Sequence, residues 1–178
     1  MQIAIVGGGI GGLALALGLH QRGLPCDVYE SVPEVKEIGV GITLLPHAMR
    51  EFAALGIAGE LLSAGIETAE SCFYNRFGQL IYKEPRGKVA GYKYPEVGIH
   101  RGRLHMILYR AAQARLGPDG VVTDHECTGF EQDEKGVTVH FKASNGEARA
   151  SVRADAVIAC DGINSAIRSS FLRMSSAS

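Results

Sequence analysis

The stretch Gln2-Ile3-Ala4-Ile5-Val6-Gly7-Gly8-Gly9-Ile10-Gly11-Gly12-Leu13-Ala14-Leu15-Ala16-Leu17, followed by Cys26-Asp27-Val28-Tyr29-Glu30, decides the fold. Gln2 to Val6 is a short apolar run with β-branched residues, closed by glycines, which predicts a buried strand. Gly11 to Arg22 carries small and apolar residues and stops at Gly23, ahead of Pro25, as a helix does when glycine lies just beyond its end. Cys26 to Glu30 predicts a second strand. The three form one βαβ unit, whose parallel strands point to a doubly wound, Rossmann-like α/β fold. Within it, Gly7, Gly9 and Gly12 fill the GxGxxG positions. Gly7 permits a tight turn, Gly9 lets a pyrophosphate approach the backbone, and Gly12 lets helix pack closely on strand. Ile10 and Gly11 lie where the helix begins, and its amino terminus offers N–H donors and partial positive charge to phosphates. Glu30 closes the second strand, where a carboxylate accepts hydrogen bonds from a ribose hydroxyl. The alternative is a glycine turn made only for tightness. The fingerprint does not separate NAD from FAD, because both carry an adenosine diphosphate half.

Outward from this unit, Ser31 to Gly41 reads as a partly charged loop. Pro46 introduces a helix over Ala48 to Leu55, closed by Gly56, and a shorter helix is expected over Ala58 to Ala64. From Glu70 to Lys83 the pattern becomes a hairpin, with strands Ser71–Tyr74 and Leu80–Tyr82 around Phe77-Gly78-Gln79. It begins an antiparallel layer expected to extend to about Tyr94. Helical periodicity returns at Arg103 to Leu116, with Leu104, Ile107, Leu108 and Ala111 on one face, and stops at Gly117-Pro118. Val121–Thr123, Glu126–Gln132 and Val137–Lys142 read as strands, and Ala154–Ala159 as a last apolar strand leading into Cys160-Asp161-Gly162. The chain ends in a serine-rich stretch, Ser175-Ser176-Ala177-Ser178.

With 178 residues, 46% hydrophobic and 21% charged, the sequence can bury a globular core, and one domain is the expectation. A net charge of -1 without Lys/Arg runs gives no electrostatic argument for a nucleic-acid or anionic-membrane partner, so the expected ligand is small. Cys26, Cys72, Cys127 and Cys160 form no CxxC pair, which argues against a zinc site or disulfide framework and for buried free thiols in a reducing cytoplasm. Glycines interrupt the apolar run Ile3 to Leu19, and no basic segment precedes it, so it is neither a signal peptide nor a membrane span. The six histidines show no HExxH or other metal-ligand spacing, and no serine lies in a GxSxG elbow.

Three further segments carry a family resemblance. Gly39-Val40-Gly41-Ile42-Thr43-Leu44-Leu45-Pro46-His47-Ala48, Ile99-His100-Arg101-Gly102-Arg103-Leu104 and Ala159-Cys160-Asp161-Gly162-Ile163-Asn164-Ser165-Ala166-Ile167-Arg168 resemble, in order and spacing, the flavoprotein aromatic hydroxylases of the para-hydroxybenzoate and salicylate hydroxylase type. Glu84-Pro85-Arg86-Gly87 and the run from Tyr94-Pro95 to His100-Arg101-Gly102 look most like the branch that hydroxylates phenazine carboxylates. The resemblance implies FAD as cofactor and NAD(P)H as co-substrate, with backbone near the flavin at Gly41 and Ile42 and a flavin contact at Arg101. It also implies a role in FAD and NAD(P)H binding for Asp161 and Gly162, and an adenine-side position for the backbone of Cys127.

By the same resemblance, the activity expected is hydroxylation of a small aromatic substrate with NAD(P)H and dioxygen through a flavin C4a-hydroperoxide. No side chain is expected to be catalytic, because the cofactor carries the chemistry. Residues 1–69 and 95–178 are assigned to the FAD-binding domain and 70–94 to the start of a substrate-binding sheet. Family members are much longer and carry a Gly-Asp motif absent here. The chain is therefore expected to be truncated relative to them, with the remaining carboxy-terminal half or a homodimer partner completing it. Other readings stay open for single residues. Gly39 and Gly41 could serve only a bend, Arg101 only a helix start, Cys127 only the core, and Asp161 could cap the next helix. At the level of function, another FAD-dependent oxidoreductase and a non-catalytic FAD-binding fragment are the alternatives.

Overall fold

The computed structural model describes residues 1–175, with side chains through Leu172; Ser176 to Ser178 of the serine-rich end lie outside the described residues. In chain order the elements are β1 (Ile3–Val6), α1 (Ile10–Gln21), β2 (Cys26–Tyr29), β3 (Gly41–Leu44), α2 (Pro46–Ala54), α3 (Ala58–Ala64), β4 (Ile66–Thr68), β5 (Glu70–Tyr74) and β6 (Leu80–Pro85). A short 3-10 turn at Gly87–Ala90 precedes β7 (Glu96–His100) and α4 (Arg101–Leu116). Then come β8 (Val121–Val122), β9 (Glu126–Asp133), β10 (Gly136–Lys142), β11 (Ala148–Ala154), β12 (Ala156–Ala159) and α5 (Ala166–Ser175). Where one domain was expected, the chain forms two compact units, residues 1–36 with 108 onward, and residues 37–107.

The first unit holds the predicted βαβ. Its parallel sheet has the order β12-β1-β2-β8. All four residues of β1 are buried, as a central parallel strand covered on both faces requires. Leu13, Ala16 and Leu17 of α1 are fully buried, and each large side chain removed from water this way stabilises by about 1.5–3 kcal/mol. An antiparallel sheet, β11-β10-β9, supplies a further core in which Val139, Phe141 and Cys127 pack with Ala4, Val6 and Tyr29. The Tyr29 and Phe141 rings stack with centroids 4.9 Å apart.

Asp124 joins β8 to this sheet in a left-handed conformation, φ 57°, which Asp tolerates better than most residues. Its Oδ1 accepts the Ser144 N–H at 2.7 Å, and its Oδ2 pairs with the Arg149 guanidinium. The Ser144 N–H first, and Arg149 after it, hold the carboxyl at about 2. That lies below the ordinary aspartate value of about 3.9, so the contribution to stability is complete above about pH 4 and is lost as pH falls through about 2. Asp124→Asn keeps the acceptor for Ser144 and loses the charge. Urea midpoints measured against pH are expected to fall less steeply for this variant between about pH 4 and 2; a slope identical to wild type would contradict the assignment.

The second unit has an antiparallel sheet of order β3-β7-β4, with Gly41 opposite His100 and Ile66 opposite Gly98. Leu44, Met49, Phe52, Ile57, Leu61, Val97 and Ile99 form its buried interior. Pro46 occupies the first turn of α2, where a missing N–H costs nothing. The predicted hairpin is β5–β6. Its turn is held by Asn75, whose Oδ1 accepts N–H groups from Phe77 and Gln79 at 2.9 and 3.0 Å. The antiparallel layer does not run to Tyr94: β6 ends at Pro85, and the left-handed Gly87 starts the 3-10 turn instead. Three strands of this unit, β3, β4 and β7, occupy segments to which the sequence reading assigned no strand, and α4 begins at Arg101 rather than Arg103.

Candidate functional site

The cleft of the first unit starts where β1 ends. The Gly7 N–H donates to the Tyr29 carbonyl at 2.8 Å, and Gly7 has φ 107°, a conformation that favours glycine. A Cβ at Gly7 would overlap the carbonyl of Cys160, and one at Gly12 would overlap the Gly7 carbonyl oxygen. Both glycines are therefore required by the protein's own packing. Gly9 is different. It has φ −73° and ψ −178°, and a Cβ there would meet nothing within 4 Å. It sits at the N-cap of α1 without a side-chain cap, so the first-turn N–H groups, including those of Ile10, Gly11 and Gly12, lack acceptors within the helix.

Glu30 follows β2 directly. Its Oε2 accepts the Gly8 N–H at 2.6 Å, and its Oε1 accepts from Ser31 Oγ at 2.9 Å and the Val32 N–H at 3.1 Å. The carboxylate thus fastens the glycine turn to the chain after β2, and it retains lone pairs for a further donor. On the opposite wall, Asp161 follows β12. Its Oδ2 accepts the Ile167 N–H at 3.3 Å at the start of α5, and Ser165 Oγ accepts the Arg168 N–H at 2.9 Å. The capping reading of Asp161 is therefore realised for one oxygen. The other, Oδ1, is buried and has no hydrogen-bond partner among the described residues. Arg168 donates to the Ile163 carbonyl, a structural bond.

Gly7, Gly9, Glu30, Cys127, Asp161 and Gly162 all line one cleft of about 640 Å³. Sequence reasoning missed several of its walls, among them Cys160, His125 and Ser144. Cys160 adjoins the Asp-Gly pair and could have been inferred from that adjacency, whereas His125 and Ser144 arrive through the antiparallel sheet and carry no motif. His125 turns Nδ1 to the Thr123 carbonyl at 2.8 Å and lies edge-on to Phe141. Burial, and after it the Asp161 charge, raises the Cys160 thiol above its ordinary value; burial is also the main cause of the rise at Cys127. Neither thiol is primed as a nucleophile.

The remaining candidates lie in the second unit. Gly41 and Ile42 form the start of β3, and Arg101 opens α4 with an exposed side chain. The Arg101 N–H donates to the Val40 carbonyl at 2.8 Å, so the Gly39–Gly41 segment is fixed to the start of that helix. This unit also contains its own cavity of about 730 Å³, walled by Leu45, Pro46, Pro85, Tyr92 and Tyr94, with Arg50, Arg86 and Lys93 at its polar side. Arg50 pairs with Glu51, and Arg86 lies between Glu84 and Glu96. Lys93 has no carboxylate partner among the described residues and sits 5.7 Å from the Tyr94 ring centroid.

The first unit's cleft suits FAD on two counts that do not depend on any motif. The space above Gly9 leaves the helix amino terminus open to a diphosphate, and the orphaned Asp161 Oδ1 calls for a hydroxyl donor. Among the described residues no group of three metal-ligating side chains converges, and no helix is long and apolar enough to cross a membrane.

The chain is 40% identical over 169 residues to the phenazine 1,6-dicarboxylic acid hydroxylase PhzS of Lysobacter antibioticus, covering 94% of the chain and 42% of that protein. It is 35% identical over 175 residues to the 3-hydroxybenzoate 6-hydroxylase of Polaromonas naphthalenivorans, again covering 42% of the relative. The crystal structure of Klebsiella pneumoniae HpxO complexed with FAD and uric acid superposes with a TM-score of 0.77 at 29% identity, covering 94% of this chain and 41% of that one. The p-nitrophenol 4-monooxygenase PnpA of Pseudomonas putida DLL-E4 superposes at 0.84 with 23% identity, covering 95% of this chain and 42% of that one, a likeness of fold. The chain thus spans less than half the length of these relatives. The FAD binding domain family matches residues 1–174, and the chain belongs to that family.

Proposed function

We propose that the chain is the FAD-binding portion of a flavin-dependent monooxygenase that hydroxylates a small aromatic substrate with NAD(P)H and dioxygen. The observation that carries this reading is the cleft in which an uncapped helix amino terminus, an open Gly9 and an unpartnered Asp161 oxygen converge. Gly7, Gly9, Ile10, Gly11 and Gly12 would receive the diphosphate, with α1 supplying N–H donors and positive potential. Glu30 would accept from a ribose hydroxyl while keeping the Gly8 N–H, and the Cys127 backbone would border the adenine. Asp161, through Oδ1, and Gly162 would take part in FAD and NAD(P)H binding, and Gly41, Ile42 and Arg101 would lie at the flavin. When bound, FAD supplies the redox chemistry, accepting hydride from NAD(P)H and using dioxygen to hydroxylate an aromatic ring. The protein's part is to bind, orient and exclude water.

The division into an FAD-binding part, 1–69 with 95–178, and a substrate-sheet part, 70–94, belongs to the same reading. It is supported by the hairpin's exposed Phe73, Tyr74, Ile81 and Tyr82, which belong to no parallel repeat. An aromatic acid as substrate is supported by the cavity of the second unit, with its tyrosine and proline walls and a Lys93 that has no carboxylate partner among the described residues. The Lysobacter and Polaromonas relatives are hydroxylases named for aromatic acids. A cytoplasmic setting is supported by four free cysteines. The purified protein is expected to be yellow and to release FAD on denaturation. A colourless protein that cannot be reconstituted with FAD, yet binds NAD, would overturn the proposal.

A further inference from the structure

We propose that His125 is a specificity-determining residue of the first unit's cleft, whose Nε2 accepts a hydrogen bond from the exocyclic amine of the cofactor's adenine and selects that base over a 6-oxo purine. The inference rests on the reading of this cleft as the FAD site. It starts from the tautomer. Nδ1 of His125 lies 2.8 Å from the Thr123 carbonyl oxygen. A carbonyl can only accept, so the single proton of the neutral ring is on Nδ1, and Nε2 carries a lone pair and no hydrogen. The opposite tautomer would set the Nδ1 lone pair against the Thr123 oxygen. The two nitrogens point in diverging directions, so Nδ1, held against the chain's own backbone, turns Nε2 away from it. Nε2 has no partner among the described residues, and His125 is half-buried in the wall of the cleft. What the ring offers a ligand there is an acceptor.

The ring is held in place by the protein alone. Tyr29 tilts against it at a centroid distance of 5.9 Å, Phe141 meets it edge-on at 5.6 Å, and those two rings stack on each other. The His125 N–H donates to the Glu30 carbonyl at 2.9 Å, and the Glu30 side chain takes the Gly8 N–H at 2.6 Å. Gly8, Glu30 and His125 are thus linked one to the next, which matches the order of diphosphate, ribose and base in an adenine dinucleotide. On the adenine ring the exocyclic amine is the hydrogen-bond donor, and the ring nitrogens only accept. A 6-oxo purine carries a carbonyl oxygen in place of that amine, so two acceptors would face each other. A fixed polar partner left unmatched in this way is what lets a site reject a ligand of nearly the same shape.

The test compares FAD with flavin hypoxanthine dinucleotide, in which oxygen replaces the adenine amine. Titrated by fluorescence at pH 8, the wild-type protein is expected to bind FAD about tenfold more tightly than this analogue, the effect of one neutral hydrogen bond. His125→Asn keeps an amide N–H for the Thr123 carbonyl and has no acceptor in place of Nε2. His125→Phe keeps a ring against Tyr29 and Phe141 and has neither nitrogen. Both variants are expected to bind the two dinucleotides equally, at the level at which wild type binds the analogue. In ¹⁵N spectra of the wild-type histidine rings, Nδ1 is expected to be protonated and Nε2 bare without ligand, with the Nε2 resonance moving upfield on addition of FAD and staying in place with the analogue. Equal affinities in wild type, a preference for FAD that survives in both variants, or a proton on Nε2 rather than Nδ1 in the ligand-free protein would overturn the assignment. Binding of neither dinucleotide to wild type would overturn the reading of the cleft itself, and this inference with it.

Discussion

Gly9→Ala is expected to leave the stability of the FAD-free protein within about 1 kcal/mol of wild type while weakening FAD binding about 100-fold or more. The backbone at Gly9 is extended, with φ −73° and ψ −178°, which any residue adopts, and the added methyl meets nothing within 4 Å. A small loss from placing alanine at an N-cap is opposed by the gain from restricting the unfolded chain. The methyl occupies the approach to the α1 amino terminus, and two charge-assisted hydrogen bonds lost there, each about 1.5–3 kcal/mol, account for the affected affinity. Gly12→Ala provides the contrast. Alanine favours a helix interior by about 1 kcal/mol over glycine, yet here its Cβ overlaps the Gly7 carbonyl oxygen. Overpacking of this kind costs about 1–3 kcal/mol or more, so this variant is expected to lose stability without any ligand. Paired denaturant melts and FAD titrations separate the two. Equal stability losses, or undiminished FAD affinity in Gly9→Ala, would show that the glycine turn serves packing alone.

The second large effect is expected at Asp161. In the FAD-free protein its Oδ1 is a buried acceptor without a donor among the described residues, an unfavourable arrangement, whereas Oδ2 contributes a cap to α5. Asp161→Ala removes both, and because a cap is worth about 0.5–2 kcal/mol and an orphaned acceptor costs about 1–3 kcal/mol, the net change in stability is expected to be small. FAD affinity is expected to fall about 10- to 100-fold, the loss of one hydrogen bond to a charged acceptor. An independent readout is available from the thiols. Burial is the main cause of the raised Cys160 value and the Asp161 charge a second one, so Asp161→Ala is expected to lower it partway and to speed alkylation of Cys160 at mildly alkaline pH. An alkylation rate unchanged from wild type would deny the electrostatic contact, and an unchanged FAD affinity would remove Asp161 from the cofactor site.

The parallel core was legible because its signals are local. Ile3 to Val6 is apolar throughout, the glycines punctuate it, and the helix and second strand follow within thirty residues. The sheet β3-β7-β4 was not legible. Gly41 pairs with His100 across 59 positions of sequence, and the alternation of Gly41-Ile42-Thr43-Leu44 lasts only four residues and opens on a glycine, too short a pattern to mark the strand. β11, Ala148–Ala154, was hidden for a related reason: Arg149, Ser151 and Arg153 face solvent, and only Ala154 is fully buried. Around the cleft, the residues that carry a backbone constraint, Gly7 in its wall and Gly12 in the helix behind, could be read from spacing. His125 and Ser144 could not, because the antiparallel sheet brings them there.

The central claim is that FAD places its diphosphate at the amino terminus of α1. The most direct measurement is a titration of the ¹⁵N-labelled protein with FAD, following backbone amides by NMR. The largest shifts are expected at Gly9, Ile10, Gly11 and Gly12, with Asp161 and Gly162 responding at the same ligand concentration. Saturable shifts confined to residues outside this cleft, or no response at these amides while FAD binds, would contradict it.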